Sequence, residues 1–241
     1  GESSSQRLAF LKKHKQVVER RDDLLTTMLD LMVQHGQFAE ALNYYQTHHF
    51  HNWEGRYSIH NAYMDANIGM AKTANNPDEA LKCYLLACEY PENLEVAPRT
   101  PDLRGFLHYP MSQLYLKTGN SKEAKRLLKI SAEEVSEKPT LCNLYRSLAL
   151  RDLGEIKMAK EVLAELKNEA QELLDGKTEG YGNRSKDFLK ALGHYYLSVA
   201  AEADKDMENA QNELDKAKSI VPLIEREALI YAQIVYAKAK Q

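Results

Sequence analysis

Five segments of the chain repeat one arrangement of small and large apolar positions. A turn residue is followed five positions later by Ala, and a large apolar residue stands four positions after that Ala. The alanines are Ala41, Ala80, Ala124, Ala159 and Ala210. The turn residues are Gly36, Asn75, Gly119, Gly154 and Lys205, and the large residues are Tyr45, Tyr84, Leu128, Leu163 and Leu214. Residues four apart share one helix face, so each segment reads as a helix that presents a small side chain and then a large one to a neighbour. Two antiparallel helices approach closely only where a small side chain permits it, and the large residue one turn on fills the adjacent groove. Asp78, Asn120 and Ser121 are expected to cap the free amides at the start of these second helices.

Around these anchors the periodicity predicts helices over 6–35, with a break near Arg20-Arg21-Asp22, and then over 38–49, 57–74, 78–89, 103–118, 121–135, 139–153, 156–174, 185–204, 207–219 and 222–239. Linkers fall at 50–56, 90–101 and 175–184. The anchors are separated by 39, 44, 35 and 51 residues, against about 34 for a short-linked helix pair, so the excess is assigned to loops between pairs. The pattern resembles the tetratricopeptide repeat, strongly in the second helices and less so in the first, which lack the family's Trp and first Gly. The resemblance implies an all-α, right-handed superhelix of about five helix pairs at 22–55, 61–92, 105–136, 140–173 and 191–222. An N-terminal helical segment at 1–21 precedes them, and a capping helix at 223–241 follows.

Two linkers carry a further signature, Trp53-Glu54-Gly55 after His48-His49-Phe50-His51-Asn52, and Tyr90-Pro91-Glu92-Asn93-Leu94. They resemble the tetratricopeptide tail of a family of uncharacterised bacterial proteins in which a β-sandwich domain, similar to sugar-mutarotase and carbohydrate-binding folds, comes first. That resemblance covers about residues 22–222, and Arg56 and Glu95 stand where the family often has Gly. It implies a non-catalytic module attached to carbohydrate-related proteins, with a sugar-binding or supporting role as the alternative to a protein partner.

Composition narrows the function. The 241 residues are 44% hydrophobic and 28% charged, with 11 Gly and 7 Pro, which suits a globular helical chain. Lys and Arg number 32 against 35 Asp and Glu, a net charge of -3, so a basic nucleic-acid footprint is not expected. No apolar run approaches the ~18 residues of a membrane span. Cys83, Cys88 and Cys142 read as small hydrophobes with at least one free thiol, which leans towards a reducing cytoplasm while leaving room for a removed signal peptide.

No GxSxG, Walker loop or HExxH occurs, and the Glu133-Glu134 pair is expected on a solvated face, so no catalytic residue, cofactor or metal is assigned. His48 and His51 would stand i,i+3 if their helix continued, but a helix terminus is the simpler reading. Trp53 is the candidate linker site, as a packing plug or a sugar platform. Counting each key Ala as position 20, the inward face of the first helices supplies Asp30, Asp65, Tyr109, Gln113, Arg151 and Tyr195 as candidate contacts to a protein or peptide. A carboxylate clamp for a chaperone tail is excluded, because its positions hold Thr26, Asp30, Ala66, Phe106 and Pro110.

Overall fold

The computed structural model describes residues 3–51, 58–97, 104–136, 138–177, 179 and 181–239, with side chains on the last helix as far as 232. The described residues are helical apart from turns and loops, with no strand among them. The chain divides into two compact units, Gly1–Pro98 and Arg99–Gln241. The first holds α1 (Ser4–Lys13), α2 (Lys15–Val18), α3 (Asp22–Gln34), α4 (Phe38–Thr47), α5 (Ser58–Thr73), α6 (Pro77–Ala87) and a 3-10 turn at Glu92–Leu94. The second holds α7 (Gly105–Lys117), α8 (Ser121–Glu133), α9 (Leu141–Asp152), α10 (Ile156–Leu174), α11 (Lys186–Ala203), α12 (Met207–Ile220) and α13 (Ile224–Ala239). The expected break near Arg20 is present, and a second falls at His14, between α1 and α2.

The packing follows one wiring in both units. In the first, α3 packs on α4 and on α5, α4 on α5, and α5 on α6. In the second, α7 packs on α8 and α9, α8 on α9, α9 on α10 and α11, α10 on α11, and α11 on α12. Within each unit, a helix pair thus meets the next through both its first and its second helix. All five key alanines are buried, between 0% and 6% exposed, as helix crossings require. Ser147 and Ser198, twelve positions before Ala159 and Ala210, are also buried, and each donates its hydroxyl to that alanine's carbonyl, at 2.7 and 2.8 Å. The next crossing is just as close: a Cβ on Gly193 of α11 would stand 2.9 Å from the carbonyl oxygen of Ala170 in α10.

Four first helices end in the same hydrogen-bonded turn. The amide of Gln37 donates to Met32 (2.9 Å), Asn120 to Tyr115 (2.8 Å), Glu155 to Leu150 (2.9 Å) and Asp206 to Ala201 (2.9 Å). This closure needs a left-handed residue just past the helix. Gly154 supplies it at φ +88°, with open space where a Cβ would go. In the last repeat Lys205 takes the same conformation, at φ +67°. The caps of the second helices are Asn76, Asn120 and Asp206, which accept from the amides of Glu79 (2.9 Å), Glu123 (3.2 Å) and Asn209 (3.2 Å). Of the expected caps, Asn120 holds. Asp78 and Ser121 instead fall within the first turns of α6 and α8, because Pro77 and Ser121 already have helical backbone.

The last helix differs in its placement from a simple end cap. α13 packs against α11 and α9, both first helices of their pairs. Ile224, Ala228, Tyr231 and Ala232 form its buried face, in one cluster with Leu141, Leu144 and Leu192. The inward-facing leucines of α9 and α11 are covered in this way.

Replacing Ala124, which is fully buried, by Leu is expected to cost about 1–3 kcal/mol through overpacking at the α7–α8 crossing, read as a lower midpoint in urea unfolding. At the closures, Gly154→Ala is expected to lower stability by about 1 kcal/mol and Lys205→Gly to raise it by a similar amount, because only the non-glycine residue strains a left-handed backbone. Equal midpoints for the Gly154 and Lys205 pair of variants would contradict that assignment.

Candidate first-helix surface

In the second unit, neighbouring first helices bring several of the expected contact residues together. Tyr109 and Gln113, one turn apart on α7, both reach Asp152 at the end of α9. The Tyr109 hydroxyl donates to Asp152 Oδ2 at 3.1 Å and the Gln113 amide to the same oxygen at 2.8 Å. The Tyr109 and Tyr145 rings lie 6.3 Å apart. Arg151 reaches in the other direction, its guanidinium donating to the carbonyl of Ala203, the last residue of α11, at 2.9 Å. A cation at a helix C-terminus satisfies an open carbonyl and opposes the helix dipole. Asp152 thus joins Tyr109 and Gln113 of α7 to the end of α9, and the adjacent Arg151 ties α9 to the end of α11.

Asp152 did not emerge from the repeat register, because it lies one position beyond the inward-facing Arg151. The signal for it is its place in the last turn of α9, where a carboxylate has no dipole to favour it and needs partners from a neighbouring helix. Tyr109 is half-buried, and burial, then the charge of Asp152, pushes its phenol up to about 12. Tyr195, also half-buried, is held neutral by burial first, with Tyr145 and Glu225 adding to the effect. It packs against the cluster that α13 completes, so it belongs to the covered part of the row. Leu116, 45% exposed, with Arg151, Asp152 and Glu202, leaves an open strip of mixed charge and one apolar side chain.

The other candidates stand apart from this cluster in the chain. Asp30 and Asp65 belong to the first unit, on α3 and α5, and both are half-buried. Asp30 accepts the Gln34 amide at 2.8 Å, a contact within one helix turn. Trp53 lies outside the described residues. The Glu133-Glu134 pair requires a correction: Glu133 is exposed but Glu134 is buried. Its Oε1 accepts the Arg104 amide at 3.2 Å and faces His108 Nδ1 at 3.5 Å, so the carboxylate serves the start of α7, where free amides favour negative charge.

Of the three thiols, Cys142 is buried and pushed up to about 12 by that burial, while Cys83 and Cys88 are half-buried. A thiol so placed is a poor nucleophile. None of the described helices is long and apolar enough to cross a membrane. No family model matches the chain, and no solved structure matches it.

Tyr109 has a raised phenol in the folded chain relative to about 10 when unfolded. Its contribution to stability is therefore full below about pH 10 and is lost as the pH rises towards 12. Asp152→Asn is expected to bring the Tyr109 phenol down, because it removes the adjacent negative charge. Following tyrosinate absorbance in the parent, the Asp152→Asn variant and a Tyr109→Phe reference tests this, and an unchanged titration would break the link between the two residues.

Proposed function

We propose that the chain is a tetratricopeptide-like interaction module without chemistry of its own, whose helix pairs build a right-handed superhelical stack within each unit and present their first helices to a protein or peptide. The observation that carries this reading is the repeated wiring, first helix against next first helix and second helix against next first helix, found in both units. Such a wiring lines the first helices up in a row, and a row of this kind is a grooved surface for an extended or helical segment.

In the second unit α13 lies against the apolar part of the row, which leaves the strip around Gln113, Leu116, Arg151 and Asp152 for a partner. Mixed charge on this strip suits a peptide that carries both a hydrogen-bond donor and an acceptor. Arg151 and Asp152 each have an internal partner, so a ligand engages them through their remaining donors and lone pairs. Neither charge has to be stripped of all its contacts to bind.

The test is selection of peptides on the whole chain from a random display library, followed by fluorescence anisotropy with the selected sequences. Peptides that bind the parent are expected to bind Arg151→Glu at least about tenfold more weakly, about 1.4 kcal/mol. Glu155→Lys, at an exposed position beyond the end of α9, serves as a charge control and should bind like the parent. Selected peptides that ignore both Arg151→Glu and Asp152→Arg would overturn the placement of the site, and failure to select any peptide would overturn the module reading.

A further inference from the structure

In the first unit, the segment after α4 places two imidazoles beside a carboxylate from a distant loop. α4 ends at Thr47, and His48 already has extended backbone (φ -106°, ψ 141°). Side chains of an extended segment alternate between faces. His48 and Phe50 turn inward: Phe50 is 1% exposed, its ring lies 4.6 Å from that of His48, and His48 Nε2 donates to Asp22 Oδ1 at 2.9 Å. His49 and His51 therefore share the outward face, with ring centroids 5.0 Å apart. The i,i+3 pair of His48 and His51 considered from sequence does not form, because the helix stops before it.

Glu95 completes the group. It follows the 3-10 turn Glu92–Leu94 with a left-handed backbone at φ 50°, between buried Leu94 and Val96. Its Oε1 is 2.9 Å from His49 Nε2 and 3.8 Å from His51 Nδ1. One ligand atom from each of the three residues lies within 4.8 Å of the others. The two loops are fastened to each other beneath this face. The Phe50 amide donates to the Asn93 carbonyl at 2.8 Å, the Asn93 side-chain amide donates to the carbonyls of Tyr45 and His48 at 2.7 Å each, and the His51 amide donates to Asp22 Oδ2 at 2.8 Å.

We propose that His49, His51 and Glu95 form a binding site for a divalent transition-metal ion of borderline softness, of which zinc is the representative. Two imidazoles and one carboxylate are a donor set for such ions, and they leave a further position for water. Ligands at ordinary zinc distances in a tetrahedron are about 3.4 Å apart. The two distances from Glu95 Oε1 straddle that value, so small rotations of exposed side chains complete the geometry. On binding, the ion takes the place of the proton between His49 Nε2 and Glu95, and that imidazole then carries its proton on Nδ1. The ligand side chains are 56%, 79% and 39% exposed, so the ion reaches them from solvent. Because the ligands come from loops more than forty residues apart in sequence, the ion closes a long loop and stabilises the first unit, as any ligand of the folded state does.

The test is calorimetric titration of Zn2+ into the tag-free whole chain after chelator treatment, with Co2+ visible absorption as a second readout. The expected result is one ion per chain and a higher melting temperature with Zn2+ than with chelator. His51→Gln and Glu95→Gln should each weaken binding about tenfold or more, while melting in chelator stays near that of the parent. His35→Gln, an exposed histidine outside the group, should bind like the parent. Absence of saturable one-to-one binding, or equal affinity in the parent and the two ligand variants, would overturn the proposal. Should Glu95→Gln fail to fold, His51→Gln decides it alone, since that side chain is the most exposed of the three.

Discussion

The hydroxyls of Ser147 and Ser198 stand 2.7 and 2.8 Å from the carbonyls of Ala159 and Ala210. Those contacts exist only because both partners at the crossing are small, and they fix how near the two helices of a pair come. Once that distance is set, the large residue a turn beyond the alanine has one groove to fill. The next first helix then has one place to lie, and a Cβ on Gly193 would already stand 2.9 Å from the carbonyl oxygen of Ala170. The close approach thus propagates from pair to pair. The positions of Tyr109, Gln113 and Arg151 on a common surface follow from it, since these residues belong to first helices whose spacing the crossings dictate.

The helix closures show the same economy. Met32, Tyr115, Leu150 and Ala201 align at one position of the first helices, and each supplies the carbonyl that the closing amide reaches. At Met32, Leu150 and Ala201 the side chain is buried while the backbone terminates the helix, so one site links the hydrophobic pattern to the turn chemistry. Lys205 keeps the hydrogen bond without glycine, which shows that the closure is strong enough to hold a residue in a conformation its Cβ resists.

Helix order and the key alanines were legible in the sequence because both depend on local spacing: Ala41 to Tyr45 is one turn, and Gly36 to Ala41 is one cap and one turn. The expected 156–174 helix coincides with α10, and the other expected helices end within a few residues of those observed. What escaped depends on distant partners. The burial of Glu134 is decided by the amide of Arg104 thirty residues away, and Asp152 gains its role from Tyr109 and Gln113 on another helix. The pairing of His49 with His51 turned on where α4 stops. That boundary is fixed by Phe50 and Asn93 rather than by the helical propensity of residues 48–51. The division into two units left no mark in the repeat register, because the linker at 90–101 reads like the other linkers.

α13 has a consequence for how the second unit is assembled. Most helices of the unit pack on the next helix or the one after it, so their contacts form with little loop-closure entropy as the chain lengthens. α13 reaches back to α9 as well as to α11. Its docking face is complete only once both are in place, because that face is the apolar side of the row they make together. During synthesis this face stays open to water until α13 emerges. α13 is therefore the helix that hides the apolar side of this row, and a chain halted before it would carry that surface exposed.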